Sequence, residues 1–215
     1  MKQGKIAESV LKRSIFKQLH LKRPDVLLAA GIGEDCAAFA VAEDEVAVIS
    51  ADPVIWEDSL DGRCAVHANL NDLAAGGAEP VGLMLTALLP PEIEEAQMRQ
   101  MVQMIAQECE PLQVQILGGH TEVTDAVKRP VVSIAAVGKA KKGMLSTTTG
   151  AKPGDDIVVT KWIALEATAK LARSRREALL SRYPRHLLDD AERFQQYFSV
   201  IPEAATAVKS GVRAM

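Results

Sequence analysis

"GRCAVHANLNDLAAGGAEPVGLMLTALLP", residues 62–90, contains two elements and the boundary between them. Its first half is alanine-rich and closes on paired glycines, which predicts a helix over 62–76 with a glycine stop. Its second half, "EPVGLMLTALLP", is a mostly apolar run bounded by prolines and predicts a strand. Downstream, "PEIEEAQMRQMVQMIAQECE" (91–110) returns to the helical period: proline opens it, acids fill the first turn, and Met98, Met101, Val102, Ile105 and Cys109 form one stripe. That stripe reads as core packing, because methionine fills irregular gaps.

The same alternation extends outward on both sides. Residues 7–19 carry a helical stripe of Val10, Leu11, Ile15, Phe16 and Leu19. "VAVISADPV" (46–54) predicts a strand ending at Asp52, since the residue before a proline is pushed to extended geometry. "VQILGG" (114–119) and "PVVSIAAVG" (130–138) are two further strands. Mixed strands and helices predict an α+β domain over 1–143, and "KKGMLSTTTGAKPGDD" supplies a linker, placed at 144–153. Beyond it stand one strand, "DIVVT", and helical segments near 162–180, 187–198 and 202–210. One strand and a few helices are too little for a layered domain, so 154–215 is expected to be the incomplete start of a larger α/β unit.

Composition narrows the function classes. Of 215 residues, 48% are apolar and 25% charged, enough for a sizeable core, and the net charge is −3 with no basic stripe. Nucleic acid is therefore not expected as a partner. Cys36, Cys64 and Cys109 stand far apart without a CxxC pair, which points to a reducing compartment. The opening "MKQGKIAESVLKRSIF" breaks each apolar run with charge, so it is no signal peptide, and "VGLMLTALL" is too short to span a bilayer. A soluble, cytoplasmic protein without membrane contact is expected.

No GxxxxGK[ST], GxGxxG or GxSxG occurs. What remains is a set of acids at strand ends and in small-residue segments. "GIGEDCAAF" (31–39) holds Glu34 and Asp35 between glycines and an apolar run, Asp52 ends the next strand, and Asp72 lies one helical turn after Asn69. "GGHTEVT" (118–124) offers Gly118, Gly119, His120, Thr121 and Glu122. Magnesium takes hard oxygen ligands, usually few carboxylates plus substrate phosphates and water, and glycine turns let backbone amides approach phosphate. Each residue also has a plainer reading: Asp35 as a solvated turn acid, Asp52 as a turn cap, Asn69 and Asp72 as hydrogen-bonded packing residues, His120 as a local structural group. His20, His67 and His186 read as surface or satisfied core histidines.

The ordered set "GIGEDCAAF", "SADPV", "NLNDLAAGGAEP", "LGGHTEV" and "GAKPGDDIVVT" resembles the aminoimidazole ribonucleotide (AIR) synthetase, or PurM-like, superfamily. That group includes thiamine-monophosphate kinase, selenophosphate synthetase and HypE-type hydrogenase maturation proteins, and "GGHTEVT" looks most like the HypE-type branch. The resemblance implies an N-terminal half-barrel domain that pairs with its twin in a homodimer, with ATP and Mg2+ near the interface. By motif match, Asp35, Asp52 and Asp72 would hold magnesium, with Asn69, Gly118, Gly119 and Thr121 also at the nucleotide. His120 stands where relatives have an acid in "GGDT" or "GGET", so that ligand would be either lost or replaced by Glu122. His120 or Thr121 would orient the γ-phosphate or the acceptor. None of the three cysteines occupies the place of the carrier cysteine of HypE-type proteins.

The function so implied is ATP-dependent phosphorylation of a carboxamide oxygen, with loss of phosphate dehydrating the group toward a nitrile, in concert with a maturation-partner protein. The alternatives are a small-molecule kinase or synthetase of the same superfamily, or a nucleotide-binding module without turnover.

Overall fold

The computed structural model describes residues 4–28, 38–39, 41, 44–58, 60–146, 150–212 and 214–215. The α+β expectation holds: two strand–helix–strand crossovers lay helices on one face of a mixed sheet. β4 (Glu45–Ile55) leads through α2 (Leu60–Ala75) to β5 (Glu79–Leu89), and β5 leads through α3 (Glu95–Cys109) to β6 (Gln115–Val123). β7 (Val131–Lys141) then inserts antiparallel between β4 and β5, while β5 and β6 run parallel. With the short β1 (Gly4–Lys5) beside β6, the order is β1-β6-β5-β7-β4, so among the described strands β4 is at the edge. A separate pair joins β2 (Val26–Leu28) to β3 (Ala38–Phe39).

Strand β7 shows the two faces most plainly, alternating between buried and half-exposed residues along its length. Val132, Ile134 and Ala136 point to the helices, where they meet Leu83, Leu85 and Ala87 of β5 and the core residues Leu70, Leu73, Met98 and Ile105. The methionine stripe of α3 is core, as its spacing predicts. α2 is buried on almost every side, which is why its sequence shows no polar face to speak of.

Several boundaries differ from the sequence reading. The helical stripe at 7–19 begins as α1 (Glu8–Val10) and then passes through π (Leu11–Ile15) and 3-10 (Phe16–Gln18) geometry. Helix α3 is not opened by proline. Glu94 caps it, and a reciprocal capping box forms with Gln97. β4 does not stop at Asp52 but continues through Pro53, opposite Ser133, to Ile55. An edge strand tolerates a proline that a central strand would not.

"DIVVT" forms no strand; Ile157 is 95% and Val158 83% exposed, with no neighbour among the described residues to supply a ladder. The described residues that follow are helical: α4 (Leu165–Ser174), α5 (Arg176–Leu180), α6 (Arg185–Arg193) and α7 (Ile201–Lys209). They pack on α2 through a second small core of Leu60, Cys64, Ala169 and Phe198.

Candidate functional site

The site is built where α2 passes the free edge of β4. Alternation along β4 puts Ser50 and Asp52 on the same face as their partners Ala136 and Ile134, the face that α2 covers. An edge strand leaves backbone groups without a ladder partner. Asn69, fully buried on α2, takes up that role: its Oδ1 accepts the Asp52 N–H at 2.8 Å, and its Nδ2 donates to the Ala65 carbonyl at 3.0 Å and, at 3.5 Å, to that of Asp52. Three residues on, Asp72 accepts a hydrogen bond from the Ser50 hydroxyl at 2.8 Å through Oδ2. The Asp52 and Asp72 side chains are exposed, and among the described residues no lysine or arginine pairs with either.

Four of the residues at this edge act together, and Ser50 is the one the sequence reading missed. Its signal was available, since a residue two before Asp52 on a strand shares its face. Asp35, Glu34 and Cys36 lie outside the described residues. Among the described residues no group of three or more His, Cys, Asp or Glu side chains closes on one point. The described donor set at this edge is thus two carboxylates, a hydroxyl and an amide already committed to backbone. Those are hard oxygen donors left without a cationic partner, which fits a magnesium ion that completes its shell with phosphate and water.

The glycine motif lies elsewhere. Gly118 and Gly119 do not form a turn after a strand; they sit inside β6, with φ of 153° and 148°. Pairing with β5 skips a residue there, from Leu83–Ile116 to Met84–Gly118, so Leu117 is the extra residue of a bulge. A bulge reverses the facing of everything beyond it. Gly119 and Thr121 therefore align with Leu85 and Ala87 on the helix face, whereas His120 and Glu122 align with Thr86 and Leu88 on the open face. His120 Nε2 and Glu122 Oε2 stand 3.3 Å apart, both half-exposed.

One chain consequently does not bring all the expected residues together. Asp52, Ile134, Leu85 and Gly119 form a single row across four strands. At 4.7–4.9 Å per strand that row separates Asp52 from Gly119 by about 14 Å. Glu122, expected to join the metal shell, lies on the opposite face of the sheet from Asp52 and Asp72, and His120 is divided from Thr121 in the same way. Ordinary strand alternation divides His120 from Thr121; the bulge, which sequence spacing does not reveal, decides that His120 and Glu122 take the open face.

The two described cysteines offer no competing chemistry. Burial pushes the Cys64 and Cys109 thiols up to about 12, so both remain protonated at neutral pH. Burial also pushes Glu108 up, but hydrogen bonds from His67 and Arg63 outweigh it and hold that carboxyl below its usual range. His67 is thus a core histidine paired through Nε2 to Glu108, although its buried Nδ1 has no partner among the described residues.

Residues 33–140 match the N-terminal domain of AIR synthase related proteins, a span that includes Asp35, β4, α2 and the bulged strand. The chain belongs to the AIR synthase related family. Within it, the thiamine-monophosphate kinase of Escherichia coli is 33% identical over 154 residues, 67% of this chain and 45% of that protein. The carbamoyl dehydratase HypE of Cupriavidus necator is 30% identical over 154 residues, 68% of this chain and 43% of that protein. The chain spans about half the length of the curated relatives it matches. The crystal structure of thiamine-monophosphate kinase from Stenotrophomonas maltophilia superposes with a TM-score of 0.71 at 26% identity, covering 95% of this chain and 65% of that one. A HypE crystal structure in complex with ATP shares the fold, with a TM-score of 0.58 over 68% of this chain and 43% of that one, at 18% identity. Among the described residues no helix is long and apolar enough to cross a membrane.

Proposed function

We propose that this AIR synthase related chain holds ATP and Mg2+ for phosphoryl transfer to an oxygen acceptor. The observation that carries the reading is the Asp52–Asp72 pair, held in place at the β4 edge and uncompensated by any described basic side chain. Asp52 and Asp72 would hold magnesium, whose chemistry is to neutralise triphosphate charge; Asp35 would join them. Ser50 donates to Asp72 and so orients its carboxylate, while Asn69 fixes the Asp52 backbone. Phosphoryl transfer asks little covalent work of a protein, so such positioning is the chain's contribution.

His120 and Glu122 enter through pairing of two copies. The open sheet face carries Ile49 (67% exposed), Ile55, Val131, Val137 and Met84 beside His120 and Glu122. Covering it with the same face of a second copy would bury those apolar groups and deliver His120 and Glu122 across the interface. In the paired form His120 would orient the γ-phosphate or the acceptor where the nucleotide passes round the β4 edge to the open face. Thr121, on the helix face, would have that role only from the same side as Asp52, and Gly118 and Gly119 would admit phosphate close to the backbone.

Two acceptors are in view. Likeness to HypE supports a carboxamide oxygen, presented by a maturation partner and dehydrated to a nitrile as ADP and phosphate leave. Likeness to thiamine-monophosphate kinase supports a phosphate oxygen, and there a specific observation helps: the superposition includes the C-terminal helices, reaching 95% of the chain. One preparation tests both the pairing and the chemistry. Light scattering at micromolar protein should read two copies. With ATP and Mg2+, phosphate should pass to thiamine monophosphate or be released on addition of an S-carbamoylated cysteine peptide. A monomer contradicts the pairing. Failure to bind ATP in the presence of Mg2+ contradicts the function, and binding without transfer to either acceptor assigns a nucleotide-binding module.

A further inference from the structure

A single turn of α2 is tied in three directions. Asn69 reaches the Asp52 backbone of β4, Asp72 takes the Ser50 hydroxyl, and Asn71, between them, faces away from the sheet. The Asn71 side chain brackets the connection that enters α7: its Nδ2 donates to the Phe198 carbonyl at 2.8 Å, and its Oδ1 accepts the Val200 N–H at 2.9 Å. The same connection is held at two more carbonyls. Arg63 of α2 donates to that of Gln195 at 3.2 Å, and Lys161 donates to that of Ser199. Phe198 is buried against Leu60 and Cys64. Residues 195–200 are thus docked on α2 by directed hydrogen bonds as well as by apolar contact, and the docking point is covalently adjacent to Asp72.

We propose that Asn71 is a positioning residue that couples the docking of the C-terminal helices to the loading of the Asp52–Asp72 edge. The coupling rests on the functional reading above, because it presumes a ligand at that edge. Its physical basis is short-range. Asn69, Asn71 and Asp72 share one helical turn, so a shift of that turn moves all three contacts together. A ligand that fixes Asp72 reduces the freedom of Asn71 and stabilises its bonds to Phe198 and Val200. By reciprocity, release of residues 195–200 weakens ligand binding by the same factor.

Amide hydrogen exchange with and without ATP and Mg2+ reads this directly. In the unaltered protein, ligand should slow exchange at residues 69–73 and also at Val200 and along α7. Asn71→Leu, similar in size but unable to bond, should lower affinity roughly fivefold and abolish the ligand-dependent protection at Val200 and α7, while protection at residues 69–73 persists. Asn71→Asp, which keeps the acceptor for the Val200 N–H, should restore part of it. A purely structural role for Asn71 would lower the thermal midpoint without severing the response of α7 to ligand. Protection confined to residues 69–73 in the unaltered protein, or an Asn71→Leu protein that binds and protects as before, overturns the coupling. If the unaltered protein binds no ATP with Mg2+, the functional reading fails and the coupling falls with it.

Discussion

Asp72→Asn lowers the affinity for ATP in the presence of Mg2+ by at least tenfold, while the thermal midpoint moves by no more than a few degrees. The substitution removes a negative charge from an exposed carboxylate that no described basic side chain compensates. It keeps the size of the group and an oxygen that can accept the Ser50 hydroxyl, so the fold loses almost nothing. A metal ligand loses its charge-assisted bond, and tenfold corresponds to about 1.4 kcal/mol. Calorimetric titration measures the affinity and scanning calorimetry the midpoint. Unchanged affinity removes Asp72 from the site. A large fall in midpoint would instead show that the residue serves the fold.

Gly119→Ala produces a loss of fold instead of a loss of binding. At Gly119 φ is +148°, and an added Cβ would stand 1.8 Å from the Leu85 carbonyl oxygen and 2.5 Å from its carbon. Both are backbone atoms of the neighbouring strand, so relief requires parting β6 from β5. Overpacking and strain of this kind cost about 3 kcal/mol or more, from a total stability of roughly 5–15 kcal/mol. The thermal midpoint should fall by about 10 °C, or cooperative unfolding should vanish altogether. Gly143→Ala is the matched control, since a Cβ there meets nothing within 4 Å and the midpoint should not change. A normal midpoint for Gly119→Ala would mean that the bulge is not as described, and His120 and Glu122 would then lose their assignment to the open face.

That bulge also marks where the sequence stops being readable. α2 and α3 are visible as sequence because composition and period act locally: alanines ending on Gly76 and Gly77, and a methionine stripe on one side. The edge position of β4 is not local. Asp52–Pro53 looks like a stop, but at the edge of the described sheet the strand tolerates the proline and continues to Ile55. "DIVVT" has strand composition, but a strand exists only with a neighbour, and Ile157 to Val159 have none among the described residues. At the site, Asp52, Asn69 and Asp72 were recognisable because the motifs that carry them are continuous in sequence. The facing of His120 and Glu122 was not, because Leu117 adds one residue against β5 and so turns both to the other side. Asn71 escaped notice for a related reason: its partners, Phe198 and Val200, are more than 120 residues away.

The paired aspartates also explain why the site sits at an edge. A central strand would spend its backbone groups on two neighbours, and the Asp52 N–H would be unavailable to Asn69. At the edge, α2 can reach round and hold the strand by a side chain, leaving both carboxylates open to solvent and to a cation.

The most direct measurement places Mn2+ with ATP on the protein in place of magnesium and follows the paramagnetic broadening of backbone amide resonances. Broadening should be strongest at Ser50, Asp52, Asn69 and Asp72, should require ATP for its full extent, and should be displaced by Mg2+. Broadening centred on another surface, or none that responds to ATP, would contradict the claim that these aspartates share a nucleotide-bound cation.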